Sequence, residues 1–152
     1  MRAALGSNVL VYAMGVNGDT HRRSALSVLD ALPDDGIMLP AQAMGEVFNV
    51  LVRKAGWTRH RARSAVQDWR DAYPVIDTTA DIVVMAMDLS VEHRLGVWDS
   101  VILSAASAGG CRVLLSQDLQ SGFTWGGVTV VDPFSAVPHA LLEALYARRP
   151  SA

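Results

Sequence analysis

Hydrophobic and polar positions along this chain switch repeatedly between a strand-like and a helix-like period. Ala3 to Leu5 is a short apolar run that meets "GSN" and passes into Asn8–Met14, where the apolar spacing predicts a short helix. Ala25, Leu26, Val28, Leu29 and Leu32 give Arg22–Leu32 a helical period, which "PDDG" ends. "IMLP" predicts a short strand, and from Ala41 the period is helical again up to "KAGW", where Gly56 supplies the stop. Thr58 predicts the N-cap of a helix reaching about Tyr73, without a capping-box glutamate three residues on. "PVIDTT" reads as a strand feeding a turn, Ala80 to His93 as a helix broken at Gly96, and Trp98 to Ala108 as a small-residue helix closed by "GG". "CRVLLS" and "VTVVD" are apolar, β-branched-rich strands separated by the glycine-rich "QSGFTWGG". A last helix is expected over Ala140–Ala147, with "RRPSA" frayed beyond it.

Strands that alternate with helices predict an α/β fold with a parallel or mostly parallel sheet and helices on both faces. Ligands bind such sheets in the crevice at the carboxyl ends of the strands. The strand-to-helix junction at Gly6 is therefore a position where chemistry is expected, and glycine offers none.

Composition narrows this picture only a little. The 152 residues suit one domain, and 51% hydrophobic with 18% charged residues excludes disorder. A net charge of -2 gives no global attraction to nucleic acid, so polyanion contact needs a local patch. Cys111, the one cysteine, excludes an internal disulfide and fits a reducing cytoplasm. Arg2 and the apolar start resemble a signal peptide, but Asn8 interrupts the run and no small-x-small site closes it. No run of about 18 apolar residues indicates a membrane span.

Three acids stand where a plain solvated surface would not put them. Glu46 belongs to a strip with Gln42, Asn49 and Arg53 beside the apolar face of Met44, Val47, Phe48 and Leu51; the strip is either a cleft wall or a solvated helix edge. Asp99 opens a helix whose i+3, i+4 and i+7 positions are Ile102, Leu103 and Ala106, so it is either a cap or a carboxylate held half-buried. Asp118 follows "RVLLSQ" at the same rim as position 6, as a turn residue or a site residue. Carboxylates that converge repel one another and suit a hard divalent cation, Mg²⁺ or Mn²⁺. His21, His60, His93 and His139 show no zinc spacing. A carboxylate-only site of that kind commonly works on phosphates.

With these residues assembled, the chain resembles a PIN domain, in particular the VapC-like ribonuclease toxins of toxin-antitoxin pairs. The likeness runs from "LGSNVLVYA" through "AQAMGEVFNVL" and "LGVWDSVILSAA" to "LLSQDL" and "GVTVVDPF". It implies a three-layer α/β/α fold with a small, mostly parallel central sheet, as a PIN-like domain over 1–134 with a helical tail over 135–152. It implies a metal-dependent endoribonuclease that hydrolyses RNA phosphodiester bonds to a 5′-phosphate. The catalytic and metal-binding acids would be Glu46, Asp99 and Asp118, with Asn8 and Ser116 supporting them. Where the family text is D-x-N, this chain has Gly6 before Asn8, so the resemblance implies one missing ligand and little or no activity. Either the protein has drifted to an inactive form or the change arose in cloning or by design; the three remaining acids favour the latter.

The resemblance also implies an RNA substrate, a small VapB-like antitoxin that occludes the cleft, and a homodimer. Six of the 13 basic residues crowd between Arg53 and Arg70. Arg53, Lys54, Arg59, Arg61 and Arg63 are candidates for phosphate contact, or else a solvated helix face offset by Asp68 and Asp71. A different class remains in play, a non-catalytic module that holds RNA or a protein partner. A receiver-like domain fits poorly, since the only lysine is Lys54.

Overall fold

The computed structural model describes residues 1–150. Its sheet has six strands in the order β3-β2-β1-β4-β6-β5. These are β1 (Arg2–Leu5), β2 (Ile37–Pro40), β3 (Val75–Ile76), β4 (Cys111–Leu115), β5 (Thr124–Trp125) and β6 (Val128–Val131). All neighbours pair in parallel except β5 with β6. Seven helices flank the sheet: α1 (Ser7–Ala13), α2 (Asp19–Ala31), α3 (Ala41–Arg53), α4 (Arg59–Ala72), α5 (Ala80–His93), α6 (Val97–Ala108) and α7 (Ala140–Ala147). The mostly parallel α/β fold expected from the alternation is the one observed.

The central strands explain this arrangement. A parallel strand is covered on both faces and reads as a continuous apolar run. Ala3 to Leu5 and Val113 to Leu115 are almost fully buried, and they join residues from every layer in one core. Helix α6 lies against β4 with Ser100 to Ala106 all buried, the branched Val101, Ile102 and Leu103 among them.

Three expectations needed correction. The segment "QSGFTWGG" is more than a spacer, because Thr124–Trp125 pairs antiparallel with β6. Gly126 and Gly127 both have positive φ, 57° and 78°, the conformation that a two-residue hairpin turn requires. The "RRPSA" tail is tied down at its start: Arg148 pairs with Asp35, Arg149 pairs with Asp30, and Arg148 donates to the Met1 carbonyl. Ser151 and Ala152 lie outside the described residues. Helix α2 also begins at Asp19, earlier than its apolar period, because Asp19 pairs with Arg22 and Arg23 within its first turns.

Candidate active site

Strand order reverses at β1, which lies between β2 and β4. The crevice expected of an open α/β sheet therefore sits at the carboxyl ends of β1 and β4. Leu5 pairs with Leu115, so Gly6 and Ser116 follow side by side. The Gly6 N–H donates to the Leu115 carbonyl at 2.8 Å.

Around that junction the polar groups are linked. Asn8, on the first turn of α1, is buried, and its Nδ2 donates to Ser116 Oγ at 3.5 Å. The Asp118 N–H donates to the same oxygen at 3.1 Å. A serine hydroxyl accepts two hydrogen bonds and donates one, so both acceptor positions of Ser116 are filled and its proton is left to point elsewhere. A Cβ built on Gly6 would stand 3.4 Å from Ser116 Oγ.

The three acids come to this rim from separate elements. Glu46 projects from α3, and Ser7 Oγ donates to its Oε1 at 3.5 Å. Its pKa is raised to about 7, first by burial and then by the charges of Asp99 and Asp118, with the Ser7 hydrogen bond opposing the rise. Asp99 lies in the first turn of α6, whose N-cap is Gly96, and makes no capping hydrogen bond. Its pKa is raised by burial and then by Asp118. Of the two readings of Asp99, the half-buried carboxylate is the one observed.

This donor set can be tested against a divalent cation. It is all oxygen, its members repel one another, and no Lys or Arg among the described residues forms an ion pair with them. That chemistry suits Mg²⁺ or Mn²⁺, which bind one or two carboxylates and keep several waters. The spacing is less complete. Among the described residues, no three His, Cys, Asp or Glu side chains stand close enough to grip one ion together.

The rest of the polar strip on α3 does not join the site: Gln42 is half-buried and Asn49 and Arg53 are exposed. The α3 residues on the groove beside the acids are Val50 and Lys54, the next two turns after Glu46. The basic candidates divide. Arg59 and Arg63 line a separate hollow with Phe48 and His60, while the Arg61 guanidinium lies 3.6 Å from the Trp57 ring centre. Ser7 was missed from sequence; its place as the first helical residue after the strand end was the available signal.

A family model described as the PIN domain matches residues 4–121. No curated protein matches the chain in sequence. Among solved structures, VapC20 of Mycobacterium tuberculosis, described as a sarcin-ricin loop cleaving toxin, is 21% identical with a TM-score of 0.66, over 76% of this chain and 89% of its own. A toxin-antitoxin complex from Klebsiella pneumoniae is 23% identical with a TM-score of 0.63, over 87% and 98% of the two chains. DNA-bound VapBC from Salmonella typhimurium is 14% identical with a TM-score of 0.63, over 88% and 98%. At these identities the likeness is one of fold.

Proposed function

The chain belongs to the PIN-domain family, and from that premise we propose that it is a VapC-type endoribonuclease toxin, impaired as it stands by Gly6. The observation that carries this reading is the meeting of Glu46, Asp99 and Asp118 at the β1/β4 crevice. One or two of Glu46, Asp99 and Asp118 would hold Mg²⁺ or Mn²⁺, with water completing the shell. When bound, such an ion polarises a phosphoryl oxygen and lowers the pKa of an attacking water. The chain's own residues orient the rim: Ser7 steadies Glu46 through Oε1, and Asn8 and the Asp118 N–H pin the Ser116 hydroxyl. Without a cation, burial and the neighbouring charges of Asp99 and Asp118 hold the Glu46 pKa up at about 7.

The likeness to toxin-antitoxin complexes supports a small VapB-like antitoxin as partner, and the reading carries an RNA substrate and a homodimer with it. No helix among the described residues is long and apolar enough to cross a membrane. That and the single buried Cys111 support a cytoplasmic site of action.

A second reading, a non-catalytic module that binds RNA or a protein, is favoured by the glycine at position 6 and by the absence of a three-acid grip among the described residues. Cleavage of a mixed RNA substrate with Mg²⁺, Mn²⁺ or chelator separates the two. The native chain is expected to cut weakly and only with metal, and Asp99→Asn to remove what remains. Metal affinity should fall below that of an intact site by more than the ~10–100-fold typical of outer-shell changes. Metal-independent cutting, or none at any metal concentration by either this chain or Gly6→Asp alongside intact RNA binding, overturns the enzyme reading.

A further inference from the structure

Beside the acids the surface continues as a groove. A hollow of about 140 Å³ is lined by Ser7, Asn8 and Asp118 on the acid side and also by Tyr12, Asn17 and Lys54. A second hollow of about 330 Å³ shares Asn17 and Lys54 and extends to Trp57. Val16, Asn17 and Lys54 line both hollows, which we read as one path from Asp118 to Trp57.

Three features of this path are built in. Lys54 caps the C-terminus of α3 and has no carboxylate within 4 Å among the described residues, although Asp118 lines the same hollow. Asn17 has φ 68°, between Gly15 at 95° and Gly18 at 96°, so the α1–α2 loop holds a left-handed conformation that few side chains tolerate and asparagine does. His21 Nδ1 lies 3.1 Å from the Asn17 carbonyl and its ring packs 4.9 Å from Tyr12, which braces the loop. At the far end, the Arg61 guanidinium packs on the Trp57 ring, outside the lining of either hollow.

We infer, building on the ribonuclease reading, that this groove holds the single-stranded RNA flanking the cut site, with Lys54 positioning a phosphate and Asn17 reading a base. Charge changes sign along the path. Carboxylates repel phosphate at the acid end, whereas Lys54 attracts it further on, so the backbone is held beyond the cut position. An amide side chain carries both donor and acceptor and can address a base edge, and unstacked single strands expose such edges. Val11, Val16 and Val50 supply the apolar walls that a base face needs.

Fluorescence anisotropy with a labelled single-stranded RNA of mixed sequence, in chelator, tests this without any cleavage. Lys54→Ala should weaken binding roughly fivefold at low salt and lower the salt slope by about 0.7, the value for one phosphate contact on a single strand. Arg112→Ala, at the opposite end of β4, should change neither. Asn17→Gly keeps the left-handed backbone and removes the amide; it should flatten the preference among homopolymers with the salt slope unchanged. Melting temperatures confirm that each variant is folded. If the native chain binds RNA and Lys54→Ala does not weaken it, the inference fails and the ribonuclease reading stands. Loss on Arg59→Ala and Arg63→Ala, with Lys54→Ala unaffected, overturns it by moving the strand to the Phe48 hollow. If the native chain binds no RNA even at low salt, both readings fail.

Discussion

Gly6 has φ -75° and ψ 157°, ordinary extended backbone, so its conformation does not call for glycine. Its surroundings do. A Cβ there would stand 2.8 Å from the Leu115 carbonyl oxygen, closer than real Cβ atoms approach, and a tight 3.2 Å from Ser116 Cβ. Restoring aspartate therefore requires the ends of β1 and β4 to part as well as a side chain to be added. Gly6→Asp is expected to cost about 1–3 kcal/mol of stability, the usual range for overpacking, measured by urea denaturation; an unchanged midpoint would show that the strands part freely. Glu46 gives a pH dependence of defined sign. Its folded pKa, about 7, lies above the ordinary 4.5, so the folded chain binds the extra proton between those values and stability falls as pH rises through that window. Because the carboxyl is half-exposed, the loss should be only about 1–2 kcal/mol. In metal-free buffer, Glu46→Gln should remove that slope and be the more stable chain at pH 8.

Element ends carry much of what holds the site's walls. Thr58 Oγ1 accepts from the Arg61 N–H at 3.2 Å and starts α4, the helix that carries Arg59, Arg61 and Arg63. Thr58→Ala should cost about 1 kcal/mol and Thr58→Ser much less, read from denaturation midpoints. The α3 terminus works in the same way. Beyond Arg53 the chain folds back, with the Trp57 N–H donating to the Leu51 carbonyl, and Gly56 takes φ 70° to allow it. That turn sets Lys54 and Trp57 on one groove.

For the molecule as a whole, the C-terminal helix belongs to the core and is no loose appendage: Leu142 and Leu145 are buried within it. Leu145→Ala should cost about 2–5 kcal/mol and broaden or lower the thermal transition of the entire domain. Breaking the exposed Arg149–Asp30 pair should change stability by less than about 1 kcal/mol. A Leu145→Ala chain that melts with native stability would show that α7 folds apart from the sheet.

Local pattern determined a great deal here. Helical and strand periods located nearly every element, and the ends of α5, α7 and β2 fall where the apolar spacing ends. Two elements escaped it for local reasons: the two residues of β5 are too few to show a period, and the first turn of α2 is held by charge without apolar residues. The candidate acids were legible because each interrupts an apolar pattern at an element end. Their meeting was not, since Glu46, Asp99 and Asp118 come from α3, α6 and the loop after β4, and only the strand order brings those ends together. Tertiary structure alone also decided that Asp99 is a half-buried carboxylate without a capping bond, that Lys54 shares a groove with Asp118, and that position 6 has no room for a Cβ. Periodicity reports which face of an element is buried; distances between elements far apart in sequence arise only when the core has packed.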